Sequence, residues 1–289
     1  MTVIAFADSR AFAGRLARAI RAPLRLLREH RFPDGESLVR VDPRAARHAV
    51  VVRTLDRPDA KLFEVMLAAD ALRRAGARQV TLVAPYLPYM RQDKVFEPGE
   101  PVSQRVLGAM LAQAFDRVLT IEAHLHRVRT LREAIPCRAR SISAAPALAR
   151  WMRTHAREAL VVGPDAESAP WVRQIGRAAG LKWTVGRKER LGDRTVRVHL
   201  EGLPAARRAV VIDDIASSGA TLAGAAKALL KHGIAEIDAI VVHAIFAPGA
   251  QQLIRRAGVR RMLSCDTIAH PTNAIRCAPL IARALEGSS

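Results

Sequence analysis

Residues 209–222 read AVVIDDIASSGATL, and this stretch decides the fold. The apolar run Ala209 to Ile212 is short enough for one buried strand. Two acids follow it, then a small polar loop, then the first turn of an amphipathic segment. A strand that ends in such a loop and feeds a helix is the building unit of an α/β protein. Further units lie on either side. Leu160 to Gly163, Trp183 to Val185 and Ile237 to Ala244 read as strands, and Ala169 to Ala179, Thr221 to His232 and Gly249 to Ala257 as helices. The first half repeats the pattern, with strands at Val3 to Phe6, Ala49 to Thr54, Gln79 to Ala84 and Arg117 to Ile121. Its helices fall near Ser9 to Ile20, Asp59 to Ala75 and Ser103 to Ala114.

The predicted fold is therefore α/β, two tandem units each with a mostly parallel sheet flanked by helices. Arg138 to Pro146 (RARSISAAP) lacks an amphipathic period and marks the boundary, giving domains 1–141 and 142–289, with Ala278 to Leu285 as a closing helix. The length of 289 residues suits two domains of ordinary size. Parallel sheets bind ligands at the carboxyl ends of their strands, so that is where a site is expected.

Lys and Arg number 46 against 27 Asp and Glu, a net charge of +19, which favours anionic partners. The cations are scattered with no block of five, and aromatics make up only 4%, which leaves little material for stacking on bases. No nucleic-acid partner is expected. Nor is a membrane partner, since no apolar stretch reaches the roughly 18 residues of a span. The opening MTVIAFADSRAFAGRLARAI has an early acid and no long apolar core, unlike a secretion signal. Cys137, Cys265 and Cys277 form an odd, widely spaced set, so a reducing cytoplasm is expected in place of a disulfide framework.

Chemically, Ser217, Ser218, Gly219 and Thr221 offer hydroxyls and backbone N–H groups at a helix N-terminus, a setting that favours phosphate. Asp213 and Asp214 at the strand end suit vicinal sugar hydroxyls or a hydrated metal ion. The same acids and serines also suit plain capping of the next helix.

This loop resembles the ribose 5-phosphate or PRPP (5-phosphoribosyl 1-diphosphate) loop of type I phosphoribosyltransferases and of ribose-phosphate pyrophosphokinases, the PRPP synthetases. The tandem layout and four further segments in order resemble the synthetases. These are RFPDGESLVRV (31–41), PYLPYMRQDKVFEPGEPVS (85–103), VVGPDAESA (161–169) and GRKER (186–190).

The resemblance implies two phosphoribosyltransferase-like domains and transfer of the diphosphoryl group of ATP to the anomeric hydroxyl of ribose 5-phosphate, giving PRPP and AMP. It implies Lys188 and Arg190 as the catalytic cations. Phe32, Asp34, Glu36, Arg91, Gln92 and His124 become contacts to ATP, and Asp213, Asp214, Ser217, Ser218, Gly219 and Thr221 contacts to ribose 5-phosphate. His124 and Asp165 become Mg²⁺ ligands. The loop carrying Phe32 reaches a neighbouring subunit in the family, which implies a homo-oligomer, a dimer or an assembly of dimers, with a shared active site.

There are departures. Glu122 and Ala123 stand where the family has Asp and Leu, His126 has no obvious counterpart, and Glu167 and Ser168 replace two glycines. Two other readings are a phosphoribosyltransferase that consumes PRPP and a non-catalytic homologue that regulates a true synthetase.

Overall fold

A run of strands buried on both faces organises each half of the chain, as the Val and Ile runs require of a parallel sheet. The computed structural model describes residues 1–42, 46–190 and 196–287, the side chains of Arg190 and Val196 excepted. It divides into two units: residues 1–143 with the segment from Ala278, and Ala144–Cys277.

The first unit contains β1 (Thr2–Ala5), α1 (Arg10–Ala19), β2 (Leu24–Leu26), β3 (Arg28–Arg31), β4 (Ser37–Arg40), β5 (His48–Val52), α2 (Pro58–Arg74), β6 (Gln79–Ala84), α3 (Ser103–Ala114), β7 (Arg117–Ile121), α4 (Leu131–Ala134) and β8 (Arg138–Ile142). Six strands pair in parallel in the order β2-β1-β5-β6-β7-β8, while β3 and β4 form a separate antiparallel hairpin. The helices lay apolar stripes on the sheet. On α1 the inward stripe is Phe12, Ala13, Leu16 and Ala17, the spacing of one helical face. Pro58 opens α2, where its missing N–H costs nothing.

The second unit repeats the plan with α5 (Ala145–His155), β9 (Leu160–Gly163), α6 (Ala169–Ala179), β10 (Trp183–Val185), β11 (Arg187–Arg190), β12 (Val196–His199), β13 (Arg208–Ile215), α7 (Ala220–Lys231), β14 (Glu236–His243), α8 (Ala250–Arg256), β15 (Val259–Cys265) and β16 (Asn273–Ile275). Its six-stranded sheet has the order β10-β9-β13-β14-β15-β16, and β11 with β12 is again a hairpin. The last helix, α9 (Ala278–Glu286), closes the chain.

Two features differ from the sequence reading of the domain boundary. Arg138–Ile142, read there as part of the domain boundary, is the edge strand β8, paired with β7. Its alternating arginines are the signature of an edge, where one face meets water, and that pattern looks polar. The second difference concerns α9, which the 142–289 assignment placed in the C-terminal domain. It belongs to the first unit, packed on α1, with Arg117 donating to the Ala284 carbonyl. Its buried stripe of Leu280, Ile281, Ala284 and Leu285 reveals that the helix covers a core without revealing which one.

Candidate active site

In the second unit the carboxyl ends of β9 and β13 and the hairpin beyond β10 supply the polar groups. Asp213 and Asp214 occupy the last turns of β13 before the chain leaves the sheet. Asp213 Oδ1 accepts from the Asp214 N–H at 3.0 Å. Loss of hydration, then the charges of Asp214 and Asp165, hold the Asp213 carboxyl well above the ordinary carboxylate range. A buried carboxyl raised by two neighbouring acids marks a place that favours a cation.

Lys188 on β11 partly meets that preference, its Nζ lying 3.6 Å from Asp165 Oδ2. Asp165 follows β9 and its other oxygen accepts from the Ser168 N–H at 3.2 Å, tying the carboxylate to a short turn. Ser168 is buried, and a Cβ on Gly163 would sit 2.2 Å from its Oγ, so the serine fills the space that Gly163 leaves empty. Glu167 stands exposed beside it. The side chain of Arg190, the second predicted cation, lies outside the described residues.

Ser217, Ser218 and Gly219 form the loop into α7, and Thr221 lies in its first turn. Gly219 is the N-cap residue with φ +78°, and a Cβ there would lie 3.0 Å from the Ala250 carbonyl oxygen. Only glycine fits both limits at no cost. The N-cap glycine has no side chain to cap the helix, and Ser218 Oγ accepts from the first-turn Ala220 N–H at 3.4 Å. The first-turn donors of α7 and the positive end of its dipole thus face the same loop as the hydroxyls, an arrangement suited to a phosphate.

In the first unit the loops after β6 and β7 meet. Asp93, whose side chain is fully buried, accepts from Arg127 Nη1 at 2.7 Å and from the Arg127 N–H at 3.2 Å. Burial alone would raise this carboxyl, but the Arg127 contacts hold it below the ordinary range. The junction gathers Arg91 and Gln92 on one loop with His124 and His126 on the other. Arg91 is exposed, and Gln92 accepts from the Ser103 hydroxyl. His124 Nε2 and His126 Nε2 lie 2.5 Å apart with rings edge to face, so His126 is the direct neighbour of the predicted metal ligand. Sequence reasoning gave Asp93 no role; its only signal was a carboxylate next to Arg91 and Gln92.

Phe32, Asp34 and Glu36 lie at the tip of the β3–β4 hairpin. The tip is a tight turn: Gly35 N–H donates to the Phe32 carbonyl at 2.9 Å and Glu36 N–H to Asp34 Oδ1 at 3.0 Å. Phe32 packs its edge on His30 and remains 39% exposed, enough to offer a ring face to another molecule.

A family profile described as the N-terminal domain of ribose phosphate pyrophosphokinase matches residues 1–114, and one described as the phosphoribosyl transferase domain matches residues 139–280. A ribose-phosphate pyrophosphokinase from Methanopyrus kandleri is 33% identical over the full length of both chains. The chain belongs to the ribose-phosphate pyrophosphokinase family. A second family member, from Halobacterium salinarum, is 34% identical over 96% of this chain and 98% of its own. The crystal structure of phosphoribosylpyrophosphate synthetase from Mycobacterium smegmatis superposes with a TM-score of 0.83 over 99% of this chain and 97% of the other, at 22% identity, a likeness of fold. As the family's architecture requires, this pyrophosphokinase chain pairs two phosphoribosyltransferase-like units, each an α/β sandwich around a parallel sheet.

Within the family's frame, the metal question turns on donor type. No group of three or more His, Cys, Asp or Glu side chains among the described residues is arranged to hold a metal ion alone. Carboxylates at Asp165, Asp213 and Asp214 are hard oxygen donors, and Mg²⁺ is ordinarily held by one or two carboxylates together with substrate phosphates and water. The residues present fit such a shared ion.

Proposed function

We propose that the protein is a ribose-phosphate diphosphokinase that makes PRPP and AMP from ribose 5-phosphate and ATP. The observation that carries the reading is the meeting, in one unit, of a glycine-entered α7 N-terminus, a strand-end acid pair and Lys188.

In this reading the α7 loop binds the 5-phosphate through first-turn N–H groups and the hydroxyls of Ser217, Ser218 and Thr221. Asp213 and Asp214 accept from the vicinal ribose hydroxyls and fix the sugar so that its anomeric oxygen points outward. That oxygen attacks the β-phosphorus of ATP; the bond from this phosphorus to the α–β bridging oxygen breaks, and AMP leaves. The anomeric proton passes to solvent or a nearby carboxylate. Lys188, with Arg190, neutralises charge gathering on the transferred oxygens, a gain that grows toward the transition state.

Phe32 supplies a stacking surface for adenine, Asp34 and Glu36 accept from its amino group, and Arg91 and Gln92 hold the nucleotide. Because the hairpin tip reaches a neighbouring subunit in this reading, the working form is a homo-oligomer. Asp165 in the second unit and His124 in the first are the residues that would hold Mg²⁺ with the ATP phosphates, and the ion would supply charge neutralisation along the polyphosphate. Cys137, Cys265 and Cys277 form no disulfide, in keeping with a cytoplasmic enzyme, and no described helix is long and apolar enough to cross a membrane.

The test is incubation with ribose 5-phosphate, ATP and Mg²⁺. AMP and PRPP in equal amounts are expected. ADP in place of AMP would mean ordinary γ-phosphoryl transfer, and diphosphate release dependent on a free base would mean a phosphoribosyltransferase. Either product pattern overturns the reading.

A further inference from the structure

The two units can be aligned by strand register alone. Thr2 lies opposite Ala49 in the first unit and Leu160 opposite Ala209 in the second. On the edge strands Val3 lies opposite Leu24, and Val161 opposite Trp183. The backbone agrees at the hairpin entry, where Leu27 N–H donates to the Ala5 carbonyl at 2.9 Å and Gly186 N–H to the Gly163 carbonyl at 2.8 Å.

Counting along these strands sets Arg53 in the place of Asp213 and Glu29 in the place of Lys188. The charges are exchanged. In the second unit the hairpin cation Lys188 meets Asp165 at the end of β9, with Asp213 and Asp214 at the end of the neighbouring strand β13. In the first, a strand-end cation faces a hairpin acid.

The exchange changes what the position does. Arg53, with 6% of its side chain exposed, uses all three guanidinium nitrogens. Nη1 reaches Glu64 Oε2 at 2.6 Å, Nη2 reaches Glu29 Oε1 at 3.4 Å and Nε reaches Asp8 Oδ2 at 3.3 Å, while the group lies 3.9 Å over the Phe6 ring. Glu64, on α2 and 8% exposed, accepts at its other oxygen from Ser37 Oγ at 2.7 Å and Arg31 Nη2 at 3.1 Å. Ser37 and Arg31 are the paired residues on either side of the hairpin turn. Burial alone would raise the Glu64 carboxyl, yet Ser37, Arg53 and Arg31 hold it below the ordinary range. Such a pair fills the place where the second unit keeps an open acid site, and it grips both strands of the hairpin directly below the Phe32–Glu36 tip.

We propose that Arg53 and Glu64 are positioning residues that lock the β3–β4 hairpin to the first unit and so fix where its tip is presented. The link from the tip to ATP rests on the function proposed above, whereas the lock itself does not.

The experiment measures two things on Glu64→Gln and on the milder Ser37→Ala. Amide hydrogen exchange across residues 28–40 reports the lock, and the KM for ATP against kcat and the KM for ribose 5-phosphate reports its use. Losing one charged hydrogen-bond partner should speed exchange in the hairpin by about tenfold and raise the KM for ATP by about fivefold, leaving kcat and the other KM within about twofold. Faster exchange with an unchanged KM for ATP supports the lock and removes the tip from the nucleotide site. Unchanged exchange in both folded variants overturns the lock. If Glu64→Gln does not fold, Ser37→Ala, which only removes a surface-side donor, decides alone.

Discussion

Lys188 Nζ lies 3.6 Å from Asp165 Oδ2, a contact that joins the hairpin β11–β12 to the carboxyl end of β9. Neither side chain is deeply buried, at 22% and 18% exposure, so the pair is loose enough for the ammonium to exchange this carboxylate for a phosphate oxygen. Lys188→Ala should therefore lower kcat by about 100-fold or more while changing the KM for ATP little, the pattern of a contact made in the transition state. Steady-state kinetics check this, and an equal loss in both parameters would assign Lys188 to binding alone.

The Asp213 carboxyl is held above the ordinary carboxylate range by loss of hydration and by Asp214 and Asp165. A carboxyl whose folded pKa is raised weakens the fold as pH climbs from the unfolded value toward the folded one. Asp213→Asn removes that penalty. Thermal unfolding of the unliganded variant at pH 8 should occur about 2 °C higher than for the parent protein, with a raised KM for ribose 5-phosphate. A lower unfolding temperature would contradict the electrostatic account.

Gly219→Ala places a Cβ at φ +78° and 3.0 Å from the Ala250 carbonyl oxygen. The expected cost is about 1–2 kcal/mol of stability, read from urea midpoints, together with weaker ribose 5-phosphate binding as the loop shifts.

Away from the site, Asp238 is fully buried between Arg208 and Arg261, with nearest contacts of 2.6 and 2.8 Å. Asp238→Asn leaves two guanidiniums without a counter-charge and should cost about 3 kcal/mol while leaving kcat unchanged. Burial opposes ionisation at both Asp238 and Glu64, but their arginine and hydroxyl partners win and hold both carboxyls below the ordinary range. A depressed acid adds stability above its unfolded pKa and loses it as pH falls through the folded one. In the Asp213→Asn background, where the opposing Asp213 effect is absent, denaturant midpoints should therefore be level from pH 7 to about 5 and drop below pH 4. A midpoint that rises on acidification would reverse the sign.

Much of this was legible in the residues themselves. The strands through Gln79–Ala84, Arg117–Ile121 and Leu160–Gly163 are mainly apolar runs, and a run buried on both faces has few alternative placements. The hairpin β3–β4 was read only as a loop, because its strand REHR is exposed throughout and carries no apolar alternation. Edge strands β8 and β16 escaped for the same reason, being short and half in water.

The α/β class and the tandem layout follow from the residues alone, since each depends on patterns close together in the chain. Hydrophobic period and loop chemistry are local properties. Only the tertiary structure decided that α9 returns to the first unit, that His126 faces His124, and that Arg53 sits in the register of Asp213 with Glu64 beneath the hairpin. Those relations join residues far apart in sequence. The partner of a buried charge is set by which strands the sheet lays side by side, and no local pattern of residues encodes that choice.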